Sequence, residues 1–168
     1  QQVAAKDEVL ALARQNGWPI QYTFADGFGQ AEIAKISSDG TPIYYQTYNA
    51  DAAVSTRADH LNSGGSLGLN LDGQGMTAYV WDGGATRAAH QEFDGPGGSN
   101  RVSQGDGATS LSDHATHVTG TMVASGFTPS AKGMASHAEA RTFDWNSDLS
   151  EMASEASGGL LISNHSYG

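Results

Sequence analysis

The chain has 168 residues, 22 of them glycine and none cysteine, with 8 Lys and Arg against 18 Asp and Glu for a formal charge of −10. That length fits one globular domain, or a small domain plus part of a larger one. The acidic balance excludes nucleic acid as a partner, the lack of cysteine excludes a disulfide framework and thiol catalysis, and no apolar run approaches the roughly 20 residues of a membrane span. Few basic and many small polar residues fit a secreted protein of bacterial type.

Residues 3–48 read as a small α+β unit. Val3, Leu10 and Leu12, with Ala4, Ala5, Ala11 and Ala13, make a helix-prone run that Asn16-Gly17 and then Trp18-Pro19 stop. Strands are expected over residues 20–24, 31–36 and 42–47, separated by the turn formers Asp26-Gly27 and Ser38-Asp39-Gly40. The pattern predicts a helix over a hairpin or meander.

From Asn49 the character changes. Residues 52–61 are expected as a helix, and 62–75 as a Gly/Ser/Asn-rich connection with little reason to pack. Then strands and helices alternate: strand 76–81, helix 114–125 ended by Gly126, strand 138–143, helix 148–157 ended by Gly158-Gly159, strand 160–163. Such alternation predicts an α/β fold, a parallel sheet with flanking helices and right-handed crossovers. The stretch 84–110 is expected as a surface excursion. In open parallel sheets the working crevice lies beyond the carboxyl ends of the strands, where Asp82 and the run from Asn164 to Gly168 fall.

Asp82 ends a hydrophobic strand and is followed by Gly83-Gly84, so its carboxylate emerges where backbone can pass close by. His114 opens a helix that Ser112 or Asp113 can cap, with Ala115, Val118, Thr119 and Met122 as the face for burial. Adjacent helical positions point apart, so Asp82 is a better orienting partner for His114 than Asp113. An aspartate that holds a histidine base is two thirds of a nucleophile-activating triad. His114 and His117 have the i, i+3 spacing of shared metal ligands, but no H-E-x-x-H arrangement or third ligand accompanies them. Asn164-His165-Ser166-Tyr167-Gly168 imitates a G-x-S-x-G nucleophile elbow, yet there the acid and histidine follow the serine, and here both candidates precede it.

In this order the motifs resemble those of the subtilase (subtilisin-like) serine endopeptidases. Val80-Trp81-Asp82-Gly83-Gly84 is similar to the family's aspartate segment, with Gly83 in place of the usual hydroxyl residue. His114-Ala115-Thr116-His117-Val118-Thr119-Gly120 is similar to its histidine segment, with Ala115 in place of glycine, and His90-Gln91-Glu92-Phe93 resembles a short stretch between them. The resemblance covers residues 49–168 and implies the N-terminal part of a subtilisin-like catalytic domain. It implies that Asp82 orients and that His114 is the general base, while Ser166, Tyr167 and Gly168 line the specificity pocket and pair with an extended polypeptide substrate. The nucleophilic serine and the oxyanion-hole asparagine would lie in a C-terminal remainder of the catalytic domain. No cofactor is implied for catalysis; a structural calcium ion is compatible with it but has no placed site. Residues 1–48 resemble the C-terminal part of a pro-region, which implies a zymogen, a processing point near Tyr48-Asn49, and inhibition of the mature enzyme by the separate segment.

Two other readings stand beside this one. The first is an α/β-hydrolase-type esterase that uses Ser166. The second is a non-catalytic acidic module that binds calcium or glycan through loop carboxylates such as Glu92, Asp94 and Asp106.

Overall fold

A computed structural model describes residues 2–23, 30–46, 49–95, 97 and 100–167. The chain divides into two compact units, Gln1–Ala50 and Asp51–Gly168, so the boundary falls two residues after the expected 48/49.

In the first unit, helix α1 (Gln2–Asn16) stops where its sequence says it should. Gly17 takes a φ of 67°, its N–H returns to the Arg14 carbonyl, and the Trp18 N–H returns to Ala13 at 2.9 Å. This paired closure satisfies carbonyls that the helix end would leave open. Strands β1 (Gln21–Thr23), β2 (Gln30–Ile36) and β3 (Pro42–Gln46) follow as an antiparallel meander in that order. Ala13, Ala31 and Ile33 are its buried apolar residues among those described. The expected strand ends at Phe24 and Thr47, the Asp26-Gly27 turn and Tyr48 lie outside the described residues.

Helix α2 (Asn49–Thr56) carries the boundary between the units. The single helix expected over 52–61 is broken at Arg57, whose φ of 65° is left-handed, and only one further turn, α3 (Ala58–Leu61), follows. The connection 62–75 corrects the expectation more sharply, because it is pinned rather than loose. Asp72 is fully buried, and its carboxylate accepts from the Ser63 N–H at 3.0 Å and from the Ser63 hydroxyl. Asn62 donates to the Leu71 and Met134 carbonyls, and the His137 N–H donates to the Asp72 carbonyl at 2.8 Å. A local reading of a Gly-rich run cannot see this, since the partners at Met134 and His137 come from far along the chain.

Burial pushes the Asp72 carboxyl up, but the Ser63 hydroxyl and N–H, with the charges of Lys132 and His137, outweigh it and hold the group below its ordinary 3.8. A carboxyl depressed in the folded state contributes its full stability above its unfolded value and loses it as pH falls through the folded one. Stability measured by urea unfolding is therefore expected to fall as pH drops below about 4, and to fall less steeply in Asp72→Asn. Equal slopes in the two proteins would take Asp72 out of this account.

The second unit is α/β. Strands β4 (Thr77–Asp82), β5 (Val102–Gln104), β6 (Glu139–Asp144) and β7 (Ser163–His165) form one parallel sheet in the order β5-β6-β4-β7. Helices α4 (Asp113–Val123) and α5 (Asp148–Ser157) flank it. Two differences from expectation concern strands. The excursion 84–110 contains β5, and the last strand is Ser163–His165 rather than 160–163, with Leu161 and Ile162 exposed.

Alternation along β4 sends Ala78, Val80 and Asp82 to one face and Tyr79 and Trp81 to the other. The first face packs under α4, where Ala78, Val102 and Ala140 meet Phe93, Val123 and Ala138 in a buried cluster. On the second, Trp81 is stacked between Phe143 (4.5 Å) and His165 (5.4 Å) and donates its indole N–H to Glu151 of α5 at 3.0 Å. Asp82 therefore ends the central strand on the side of the sheet that carries α4.

Candidate active site

Asp82 and His114 meet at the carboxyl edge of the sheet. His114 Nδ1 lies 2.8 Å from Oδ1 and 2.9 Å from Oδ2 of Asp82. Carboxylate oxygens only accept, so Nδ1 carries the donated hydrogen and the lone pair of a neutral ring sits on Nε2. The acid side chain is 4% exposed and the histidine side chain 60%, so one partner is fixed in the fold and the other faces solvent. The Gly83 N–H also donates to Asp82 Oδ1, at 2.7 Å, and helps hold the carboxylate.

A short clasp delivers the start of α4 to this point. After Asp82 the chain turns at Gly84 with a φ of 111°, where a Cβ would lie 2.8 Å from the Ser110 carbonyl oxygen. Only glycine suits both the dihedral and the approach. Ala85 then pairs in parallel with Leu111: its N–H donates to Ser110 at 2.8 Å, and its carbonyl accepts from Ser112 at 2.9 Å. Ser112 caps α4 by accepting from the Ala115 N–H at 3.1 Å, one of the two caps expected. Beneath the first turn the buried hydroxyls of Thr86 and Thr119 bond at 2.9 Å, and Thr86 also donates to the Ala115 carbonyl. Ala115 is itself buried, so the methyl that distinguishes it from glycine is directed into protein. The buried face of the helix is Ala115, Thr119 and Val123, with Met122 packed beside the core and Val118 only half-buried.

His117 is exposed, and among the described residues no group of three or more His, Asp or Glu side chains is gathered as a metal site. Ser166 is exposed and accepts from the Asn164 side-chain amide at 2.9 Å; no hydrogen bond joins it to His114. Tyr167 is fixed by a chain of contacts. Its hydroxyl donates to Asp148 at 2.8 Å and lies 3.0 Å from His165 Nδ1, while His165 Nε2 lies 3.0 Å from the Ser163 hydroxyl. Burial, then the hydrogen bond to Asp148 and the charges of Asp148 and Asp82, push the Tyr167 phenol up to about 12. Gly168 lies outside the described residues.

The loop carboxylates each have work within the fold. Glu92 accepts from the N–H groups of Gly126, Phe127 and Thr128 at 3.0, 3.0 and 2.7 Å. That explains why α4 ends at Val123 while Gly126, the expected stop, lies in the loop beyond it with a φ of 81°. Asp94 accepts from Asn100 and pairs with Arg101 at 3.5 Å. Asp106 accepts from Gln104, Ala108 and Asp144, and joins the ends of β5 and β6.

Trp145 has no place in the sequence reading and belongs here. Its N–H donates to the Asp82 carbonyl at 2.8 Å, and its indole lies over Gly83, where a Cβ would be only 2.8 Å from the ring. Nothing in the sequence pairs it with Gly83; the register of β4 and β6 brings the two together. Comparison with protein-family models, with curated proteins and with solved structures gave no match.

Proposed function

We propose that residues 49–168 are the acid-and-base portion of a subtilisin-like serine endopeptidase, whose serine is supplied from outside this chain. The observation that carries this is the contact of a buried Asp82 with a solvent-facing His114, 2.8 Å apart at the carboxyl edge of a parallel sheet. Asp82 holds the imidazole by Nδ1, and Nε2 is left to take the proton of the serine hydroxyl as it attacks a peptide carbonyl, then to pass it to the leaving amine. An extended polypeptide pairs its main chain along Ser166, Tyr167 and Gly168. Ser166 does not act as nucleophile in this reading, because it takes its hydrogen bond from Asn164 and has no base.

A fluorophosphonate serine probe tests the assignment. The 168-residue chain is expected to stay unlabelled, while the longer polypeptide is labelled at a serine beyond Gly168. Labelling of Ser166 would move the preference to an esterase.

A further inference from the structure

The aromatic stack on the α5 side of the sheet continues one step past the strand ends. The register sets Phe143, Trp81 and His165 side by side. Two residues further on, the same three chains present Trp145, Gly83 and Tyr167. Gly83 is blank, and Trp145 leans across it to meet Tyr167 edge to face, with centroids 5.6 Å apart at 73°. The result is a two-ring shelf on the α5 side of the strand end at Asp82, whose own side chain is on the α4 side. Tyr167 is anchored by Asp148, yet the Trp145 side is open, the residue being 48% exposed.

The surroundings of the shelf are acidic. Asp148 holds Tyr167 directly, the charge of Asp82 also acts on the Tyr167 phenol, and Asp144 precedes Trp145 on the far face of the sheet beside Asp82. Among the described residues none of these three carboxylates is paired with a lysine or arginine. Aromatic faces carry negative potential and attract cations, more so with a carboxylate such as that of Asp148 bonded to one of the rings. A leucine side chain would gain only the apolar contact, and a glutamate would be repelled.

Resting on the peptidase reading, we propose that Trp145, seated over Gly83, is a specificity-determining residue whose shelf takes a lysine or arginine side chain of the polypeptide substrate. Gly83 is then the device that admits the indole. A methyl there meets only the far end of a half-exposed side chain, so Gly83→Ala displaces Trp145 instead of disrupting the sheet.

The test uses the complete protein and peptides that carry Lys, Leu or Glu in turn at each of several positions before the cleaved bond. At one position Lys is expected to exceed Leu by roughly 3- to 30-fold in kcat/KM, the range of an aromatic–cation contact from exposed to desolvated. Trp145→Leu keeps an apolar contact and should abolish that ratio. Gly83→Ala should reduce it likewise, and the double variant should be no worse than Trp145→Leu alone, since both act on one contact. A basic preference that survives Trp145→Leu, or a preference for Leu at the shelf position, overturns the proposal while leaving the peptidase intact. Failure of the wild-type protein to cleave any peptide removes the peptidase reading, and the shelf's role with it.

Discussion

Replacing His114 by alanine in the complete protein is expected to lower peptide-bond turnover by roughly four or more orders of magnitude, as removal of a triad member does. The loss follows from position. His114 is the side chain that joins a buried carboxylate to solvent, with Nδ1 occupied by Asp82 and the rest of the ring 60% exposed. No neighbour among the described residues can replace it: His165 is committed to Ser163 and Tyr167. His117→Ala should cost far less, because that side chain faces solvent one turn along and does not touch Asp82. Asp82→Asn should cost about four orders as well, through the wrong tautomer. Initial rates on a chromogenic peptide decide the matter. Equal losses for His114→Ala and His117→Ala would return attention to a metal held by both, which a chelator would then reveal.

The largest expected effect on stability comes from Glu92→Ala. This residue is buried and its two carboxylate oxygens satisfy three successive backbone N–H groups, those of Gly126, Phe127 and Thr128. Its own carbonyl accepts from the Ser125 N–H and from Arg101, which in turn donates to the carbonyls of Val123 and Ala138. Truncation leaves three donors without an acceptor in a partly buried loop, and hydrogen bonds to a charged group are among the stronger ones. A loss of roughly 3–5 kcal/mol in urea unfolding is expected. Glu92→Gln retains one acceptor oxygen and should lose less. If Glu92→Ala unfolds at the wild-type urea concentration, the loop does not depend on the carboxylate.

The parts that could be read in advance are those whose signal is local. The strands around Val80 and Ala140 are short apolar runs with helices between them, and they lie within one residue of their expected limits. Helix α5 also begins and ends as its pattern says. Strand β7 starts three residues and ends two residues later than its pattern suggests, for a physical reason: Leu160, Leu161 and Ile162 look like a strand but the last two are exposed, while the paired residues are the polar Ser163, Asn164 and His165 of a sheet edge. Strand β5, three residues of Val-Ser-Gln, has too little pattern to stand out. Asp82 and His114 were legible because the chemistry of a held histidine requires an acid from another element, and their order along the chain limits the choice. Trp145 was not, because its relation to Gly83 exists only once β4 and β6 are in register.

The strand order β5-β6-β4-β7 also governs when Asp82 and His114 can be framed. β4 is the first strand of its sheet to be synthesised, yet both of its neighbours come later, β6 after the whole of α4 and β7 after α5. During synthesis, then, the ribosome releases Asp82 and His114 well before the partners that immobilise the acid. A nascent chain that already holds both residues lacks the frame that aligns them. The strand that carries Asp82 is paired on both sides only when β7 closes on the edge of β4.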